Sequence, residues 1–118
     1  MRAFLIVATS LVSLLAQSAP RVTTVRLYVF DCGMLVRGEP TAYGLTKEQV
    51  GDTNFADACY LVAHPKGTLL WDVGIIPDAQ ITPGGVSIAV GTSGNSNRAT
   101  RTLRSQLAEI GYRPDDIT

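Results

Sequence analysis

The sequence contains few residues of the kinds that bind metals and no excess of charge of either sign. Its 118 residues include one histidine and two cysteines, and 10 Lys and Arg balance 10 Asp and Glu. A catalytic zinc site typically needs three or more His, Asp, Glu or Cys ligands, and Cys32, Cys59 and His64 have no recognisable ligand spacing. The balanced charge provides no basic field for a polyanion, so no nucleic-acid partner is expected.

Long apolar runs and a nucleotide-binding loop are also missing. The apolar stretch at residues 3–16 is interrupted by Thr9, Ser10 and Ser13, and it is shorter than the about 20 residues of a membrane-spanning helix. The glycine-rich segment around Gly91 lacks the lysine that a phosphate-binding loop requires. The chain is long enough for one modest domain and too short for two.

The amino terminus has the composition of a secretory signal peptide. Arg2 precedes the apolar run, and Ser18 and a small residue two positions earlier suit a cleavage site. Cleavage after Ser18 would leave a chain that begins at Ala19, with nine basic and ten acidic residues, because Arg2 is the one charged residue removed. We therefore expect a signal peptide at 1–18, one domain at 19–118 and a secreted or periplasmic protein. An uncleaved anchor is the alternative.

The clearest structural pattern lies in residues 57–78. Two apolar segments rich in β-prone residues, 58–63 and 68–73, flank the sequence His-Pro-Lys-Gly at 64–67. This pattern predicts a β-hairpin. Both cysteines lie in predicted strands, so an oxidising compartment allows a disulfide between them but the sequence does not require one.

The carboxyl end of this hairpin is the first candidate for a functional site. Asp72 ends a nearly all-apolar strand and Gly74 follows it, so a carboxylate is expected where a buried strand reaches the rim of the fold. Asp before glycine also commonly does no more than close a turn. Ile75 and Ile76 come next as apolar residues that could line a pocket.

The flanking segments predict further strands around this hairpin. In residues 22–36, Val25, Leu27 and Val29 alternate with Thr24, Arg26 and Tyr28; this alternation predicts a strand with one buried face. The sequence Asp-Cys-Gly at 31–33 predicts a bulge in that strand.

Two segments predict loops. Residues 37–55 form either a surface connection or a flap that carries Tyr43 and Phe55 over a pocket. Residues 79–97 are expected to be a loop or a weak hairpin through 86–90.

One amphipathic helix is predicted over residues 98–110. Leu103, Leu107 and Ile110 fall on one stripe at helical spacing. Asn97 is the expected N-cap and Gly111 the expected end of the helix.

The order of these features resembles a known family. Asp-Cys-Gly at 31–33, a strand ending in His-Pro, Gly-Thr-Leu-Leu-Trp-Asp-Val-Gly at 67–74, an amphipathic helix and Gly-Tyr-Arg-Pro-Asp-Asp-Ile at 111–117 follow one another. This looks like the amino-terminal part of a metallo-β-lactamase-fold hydrolase, and the most similar subgroup is the N-acyl homoserine lactonases. The resemblance covers about residues 26–118, and its most specific parts are 67–74 and 111–117.

The resemblance implies an α/β (α+β) fold, the amino-terminal part of an αββα sandwich with mainly one β-sheet and one amphipathic helix. It implies that Asp72 supports a metal-binding loop through hydrogen bonds without binding metal itself, and that Gly74 lets the backbone turn closely beside it. The complete enzyme would hold two zinc ions with the help of a His-x-His-x-Asp-His motif, which these 118 residues lack. No catalytic residue, metal ligand or cofactor is therefore expected in this chain alone.

The implied function is that of an inactive fragment of a secreted zinc-dependent hydrolase. Its parent would open a lactone or cleave another ester, amide or thioester. Half of a sandwich leaves an apolar sheet face uncovered, so self-association of the fragment is expected. Two alternatives remain: a complete small secreted β-rich binding module, and an inactive product of a broken gene.

Overall fold

The structure is a computed structural model that describes residues 18–118. Its central elements are a hairpin and a long strand that contains a bulge. One five-stranded antiparallel sheet and one short helix form a mixed α/β domain. The predicted signal peptide lies outside the described residues except for Ser18. The strands are β1 (Arg26–Val36), β2 (Phe55–His64), β3 (Gly67–Trp71), β4 (Val86–Val90) and β5 (Asn95–Ala99), and the helix is α1 (Leu103–Glu109).

The sheet has the strand order β3-β2-β1-β5-β4, and each neighbouring pair is antiparallel. Strands β2 and β3 form the predicted hairpin, with His64 opposite Gly67 at its turn. The predicted bulge is confirmed as well, because β1 shifts its register against β2 between Asp31 and Gly33 and leaves Cys32 as the extra residue. Glycine is needed at the second of these positions, since a Cβ on Gly33 would collide with the carbonyl oxygen of Arg98.

Helix α1 covers one face of the sheet, and the main core lies between them. The buried residues of this core are Phe30, Cys32, Cys59, Leu61, Ala63, Leu103, Leu107 and Tyr112. As predicted, β1 has one buried and one exposed face. The apolar residues Val25, Leu27 and Val29, however, are all exposed. The buried side chains of β1 are instead those of Phe30 and Cys32, because they are on the side where the helix packs.

The helix is shorter than predicted. It begins at Leu103, and Thr102 caps it by accepting a hydrogen bond from the Ser105 backbone N–H at 3.1 Å. Asn97 is not the N-cap, since it lies in β5 opposite Ile88. Pairing of β5 with both β4 and β1 satisfies the backbone of this segment and overrides its helical pattern.

The predicted stripe and the predicted end of the helix are both present. Leu103 and Leu107 are buried and Ile110 is half-buried. Gly111 has a φ of 83°, the left-handed conformation in which helices commonly end.

A disulfide and a buried amide hold the bulge against the neighbouring elements. Cys32 and Cys59 are joined, with their Cα atoms 5.8 Å apart. The side chain of Gln106, on α1, donates to the Asp31 carbonyl at 2.8 Å and accepts from the Asp31 N–H at 3.0 Å. The amide thus replaces the strand partner that this part of β1 lacks, which avoids the cost of unpaired backbone groups.

Candidate functional site

A cavity of about 420 Å³ lies beside the loop that follows β3, between that loop, helix α1 and the carboxyl-terminal turn. Its walls are mainly apolar, and Asp78 and Arg104 are its charged members. The other residues that line it are Leu70, Val73, Gly74, Ile75, Pro77, Leu103, Leu107, Pro114 and Ile117. Such a lining suits an apolar group more than a strongly charged one.

Asp72 directs the chain into this loop. Its φ is 66°, and it is the one residue other than glycine with a positive φ among those described. The Asp72 carboxylate accepts hydrogen bonds from the backbone N–H groups of Val73 at 2.6 Å and Gly74 at 2.9 Å. These bonds offset the cost of the left-handed backbone, so the side chain fixes the turn at the rim of the sheet.

Gly74 lets the loop approach the disulfide closely. Its φ is 83°, and a Cβ at this position would lie 3.2 Å from the Cβ of Cys32. A larger residue here would push the loop away from β1.

Two further aspartates hold the loop, and sequence reasoning missed both. Asp57 accepts a hydrogen bond from the Ile75 N–H at 3.0 Å. Asp78 accepts from the N–H groups of Leu103 at 2.8 Å and Arg104 at 2.9 Å, which caps the start of α1. No local pattern reveals these roles, because the partners are at least 18 positions apart in the chain.

The structure separates the four residues proposed to line a pocket. Ile75 lines the cavity, whereas Ile76 is buried. Tyr43, in a 3-10 turn at Pro40–Tyr43, packs on Phe55 with ring centroids 5.0 Å apart. Neither aromatic residue is part of the cavity wall.

The two segments that carry the family resemblance lie side by side. The Thr68 hydroxyl, in β3, donates to the Asp116 carbonyl at 3.0 Å and accepts from the Thr118 N–H at 2.9 Å. Arg113 closes the carboxyl-terminal turn by donating from its guanidinium to the Asp116 carboxylate at 3.0 Å. This side-chain hydrogen bond lowers the pKa of Asp116.

Among residues 18–118, no three His, Cys, Asp or Glu side chains are grouped so that they could hold a metal ion. His64 is exposed in the hairpin turn, where its Nδ1 accepts a hydrogen bond from the Lys66 N–H at 3.1 Å.

Within residues 18–118, no helix has the length and apolarity needed to cross a membrane.

No protein-family model matches the chain, and comparisons with curated proteins and with solved structures give no significant match.

Proposed function

We propose that this chain is the amino-terminal part of a secreted metallo-β-lactamase-fold hydrolase, similar to the N-acyl homoserine lactonases. The observation that supports the proposal is the contact between segments 67–74 and 111–117, the two most specific parts of the resemblance. They are joined by the Thr68 hydroxyl, which bonds to Asp116 and Thr118. The substrate of the complete enzyme would be a lactone, or another ester, amide or thioester.

The role proposed for Asp72 is support of a neighbouring loop. Its carboxylate holds the Asp72–Gly74 backbone in a left-handed turn through two hydrogen bonds. In the complete enzyme this turn would support the loop that carries the metal ligands, and Asp72 would position that loop without binding metal. Carboxylates in such supporting positions orient metal ligands through hydrogen bonds.

The described residues do not fit a zinc site by themselves, because they contain no group of three candidate ligands. The two zinc ions of the proposed parent would therefore need ligands outside residues 18–118. We assign no hydrolytic step to the residues described here.

Reading the gene beyond the Thr118 codon is the direct test. The proposal expects a His-x-His-x-Asp-His sequence soon after that codon. A reading frame that continues without such a motif, or that stops at once, would contradict it.

A substitution in the full-length protein tests the role of Asp72. Asp72→Ala should lower zinc content or activity by roughly 10- to 100-fold while the fold persists, as is typical when a residue supporting metal ligands is lost. Asp52→Ala is the matched control, because the Asp52 carboxylate makes the same type of bond to the N–H two residues later, at 2.9 Å to Asn54. Equal losses in both variants would show that Asp72 has no special role.

A second candidate function is that of a small secreted β-rich binding module. It is favoured by the disulfide, since small secreted domains commonly depend on such bonds for stability. A module of this kind would be monomeric and would unfold in one sharp thermal transition. The incomplete hydrolase would instead be oligomeric or partly molten.

Export is part of both proposals. The disulfide suits an oxidising compartment, and the amino-terminal composition is that of a cleavable signal. Amino-terminal sequencing of exported material should begin at Ala19, whereas recovery of the uncleaved chain in the cytosol alone would contradict export.

A further inference from the structure

The sheet ends in two edge strands, β3 and β4, which differ in their surroundings. Beside β3, the Thr68 hydroxyl bonds to the Asp116 carbonyl and the Thr118 N–H, so the carboxyl-terminal turn lies against the start of this strand. Beside β4, the part of the chain that the structure describes supplies no hydrogen-bonding partner other than β5. The outer edge of β4 therefore presents unpaired backbone N–H and C=O groups.

Strand β4 also lacks the features that keep most edge strands from pairing with another chain. Such features are charged side chains, proline and bulges. Strand β4 reads Val-Ser-Ile-Ala-Val, and residues 79–97 around it contain no charged residue. Its pairing with β5 is continuous from Val86 to Val90, so no bulge interrupts the strand. This edge is therefore suited to the addition of a strand from another chain.

The order of residues in β4 suits pairing with a second copy of the same strand. Two antiparallel copies related by a two-fold axis at Ile88 place Val86 of each copy opposite Val90 of the other. Ser87 and Ala89 then lie opposite each other on the other face of the strand. Every pair thus joins uncharged side chains of similar size. The three pairs on the Ile88 side consist of β-branched residues, which favour antiparallel strands.

We propose that β4 is the interface of a symmetric homodimer in which the sheets of two copies join edge to edge. The pairing satisfies the outer backbone groups of both β4 strands and occupies this edge in both copies, so assembly stops at two. Both faces of the sheet stay accessible, so the dimer neither requires nor excludes a second layer, and it does not rest on the hydrolase assignment. Strands of five residues form a small interface. The dimer is therefore weak, with a dissociation constant on the order of 10–100 μM.

Association and the environment of Trp71 can be measured in the same samples. Sedimentation equilibrium should give a mass that rises from one copy to two as the protein concentration passes through this range. Emission from Trp71, the one tryptophan of the chain, should stay unchanged because it lies on β3, at the opposite edge of the sheet. A protein that stays monomeric at about 1 mM, or whose mass keeps rising beyond two copies, would overturn the proposal. Association with a shift of Trp71 emission to shorter wavelength would also overturn it, because the contact would then involve the sheet face that carries Trp71.

Substitutions of opposite charge at Ile88 test the two-fold axis directly. Ile88→Lys alone and Ile88→Glu alone should each raise the dissociation constant by on the order of 10-fold, because two like charges face each other across the axis. An equimolar mixture of the two variants should restore association, because the charges that face each other are then opposite. Association that is unchanged in both single variants, or that the mixture does not restore, would overturn the proposed pairing.

Leu69→Lys is the matched control. Leu69 is also apolar and exposed, but it lies on β3, so this variant should dimerise as the unsubstituted protein does. Far-ultraviolet circular dichroism of the dilute protein should be the same for every variant. If Ile88→Lys disturbs folding, Ala89→Lys should weaken association from the other face of β4, where the side chain is also exposed. Association lost in Leu69→Lys and kept in both β4 variants would contradict the proposal in favour of the sheet face opposite α1.

Discussion

The two faces of strands β1–β3 have similar apolar composition and opposite surroundings. On the face covered by α1, Cys59 and Leu61 have no exposed surface. The opposite face, which we call the open face, carries Leu27, Val29, Tyr60, Val62, Leu69 and Trp71. Its Leu69 and Trp71 are more than half exposed although they lie only one residue from a half-buried position. The difference shows that burial here is decided by the single helix and not by the polarity of the strands.

Strands with two apolar faces are typical of sheets that are covered on both sides. The run from Ala58 to Ala63 contains no charged residue, and β3 reads Gly-Thr-Leu-Leu-Trp. A sheet with one face in water would instead alternate apolar and polar residues. The composition of the open face therefore favours a second layer over it, as in the larger sandwich proposed above.

Truncation of one leucine on each face is the strongest test of this comparison. Leu61→Ala should lower the free energy of unfolding by about 2–5 kcal/mol, because it leaves a cavity under the helix. Leu69→Ala, on the open face, should cost less than about 1 kcal/mol in the monomer. Urea unfolding at concentrations too low for association measures both values. Similar costs at the two positions would mean that the open face is already packed in the monomer.

The disulfide is the next largest contribution to the covered face. It joins residues 27 positions apart, and closing a loop of this length stabilises a fold by about 3.5 kcal/mol in the chain-entropy description. The double variant Cys32→Ala, Cys59→Ala should therefore unfold at lower urea concentration. Emission from Trp71 in the folded dilute protein should not change, because the disulfide lies on the other face. An unchanged urea midpoint would show that the disulfide does not form.

Local patterns predicted the parts of the fold that depend on neighbouring residues. The hairpin follows from two β-prone runs around a turn, and the bulge at Cys32 follows from an Asp-Cys-Gly sequence inside a strand. The helix stripe and its end at Gly111 were recognised for the same reason. Asp72 was predicted to be a candidate site residue because it ends a nearly all-apolar strand and Gly74 follows it.

Long-range contacts account for what sequence reasoning missed. Strand β5 reads Asn-Ser-Asn-Arg-Ala, which has no β-prone pattern, and it exists because β1 and β4 pair with it. Asp78 caps α1 from 25 positions away, so no capping sequence announces it. Apolar alternation in β1 also could not show which face the helix covers, because that choice depends on where α1 docks.

The smallest effect we predict is a decrease in the free energy of unfolding at alkaline pH, caused by ionisation of Tyr112 on the covered face. Tyr112 is 1% exposed, lies edge-on to Tyr28, and donates a hydrogen bond to the Pro20 carbonyl at 3.3 Å. Burial raises the pKa of its phenol. The folded state therefore retains this proton at a pH where the unfolded chain, with a tyrosine pKa of about 10, has lost it.

The sign of the pH dependence follows from this raised pKa. The contribution of Tyr112 to stability is fully present below about pH 10 and is lost as the pH rises through the raised pKa of the folded state. Tyr112→Phe should cost about 1 kcal/mol at neutral pH through the lost hydrogen bond, and it should remove the alkaline loss. Tyr60→Phe, on the open face, should leave that loss in place because Tyr112 is still present. Urea unfolding of the three proteins at neutral and alkaline pH measures both effects, and an alkaline loss that persists in Tyr112→Phe would assign it to another group.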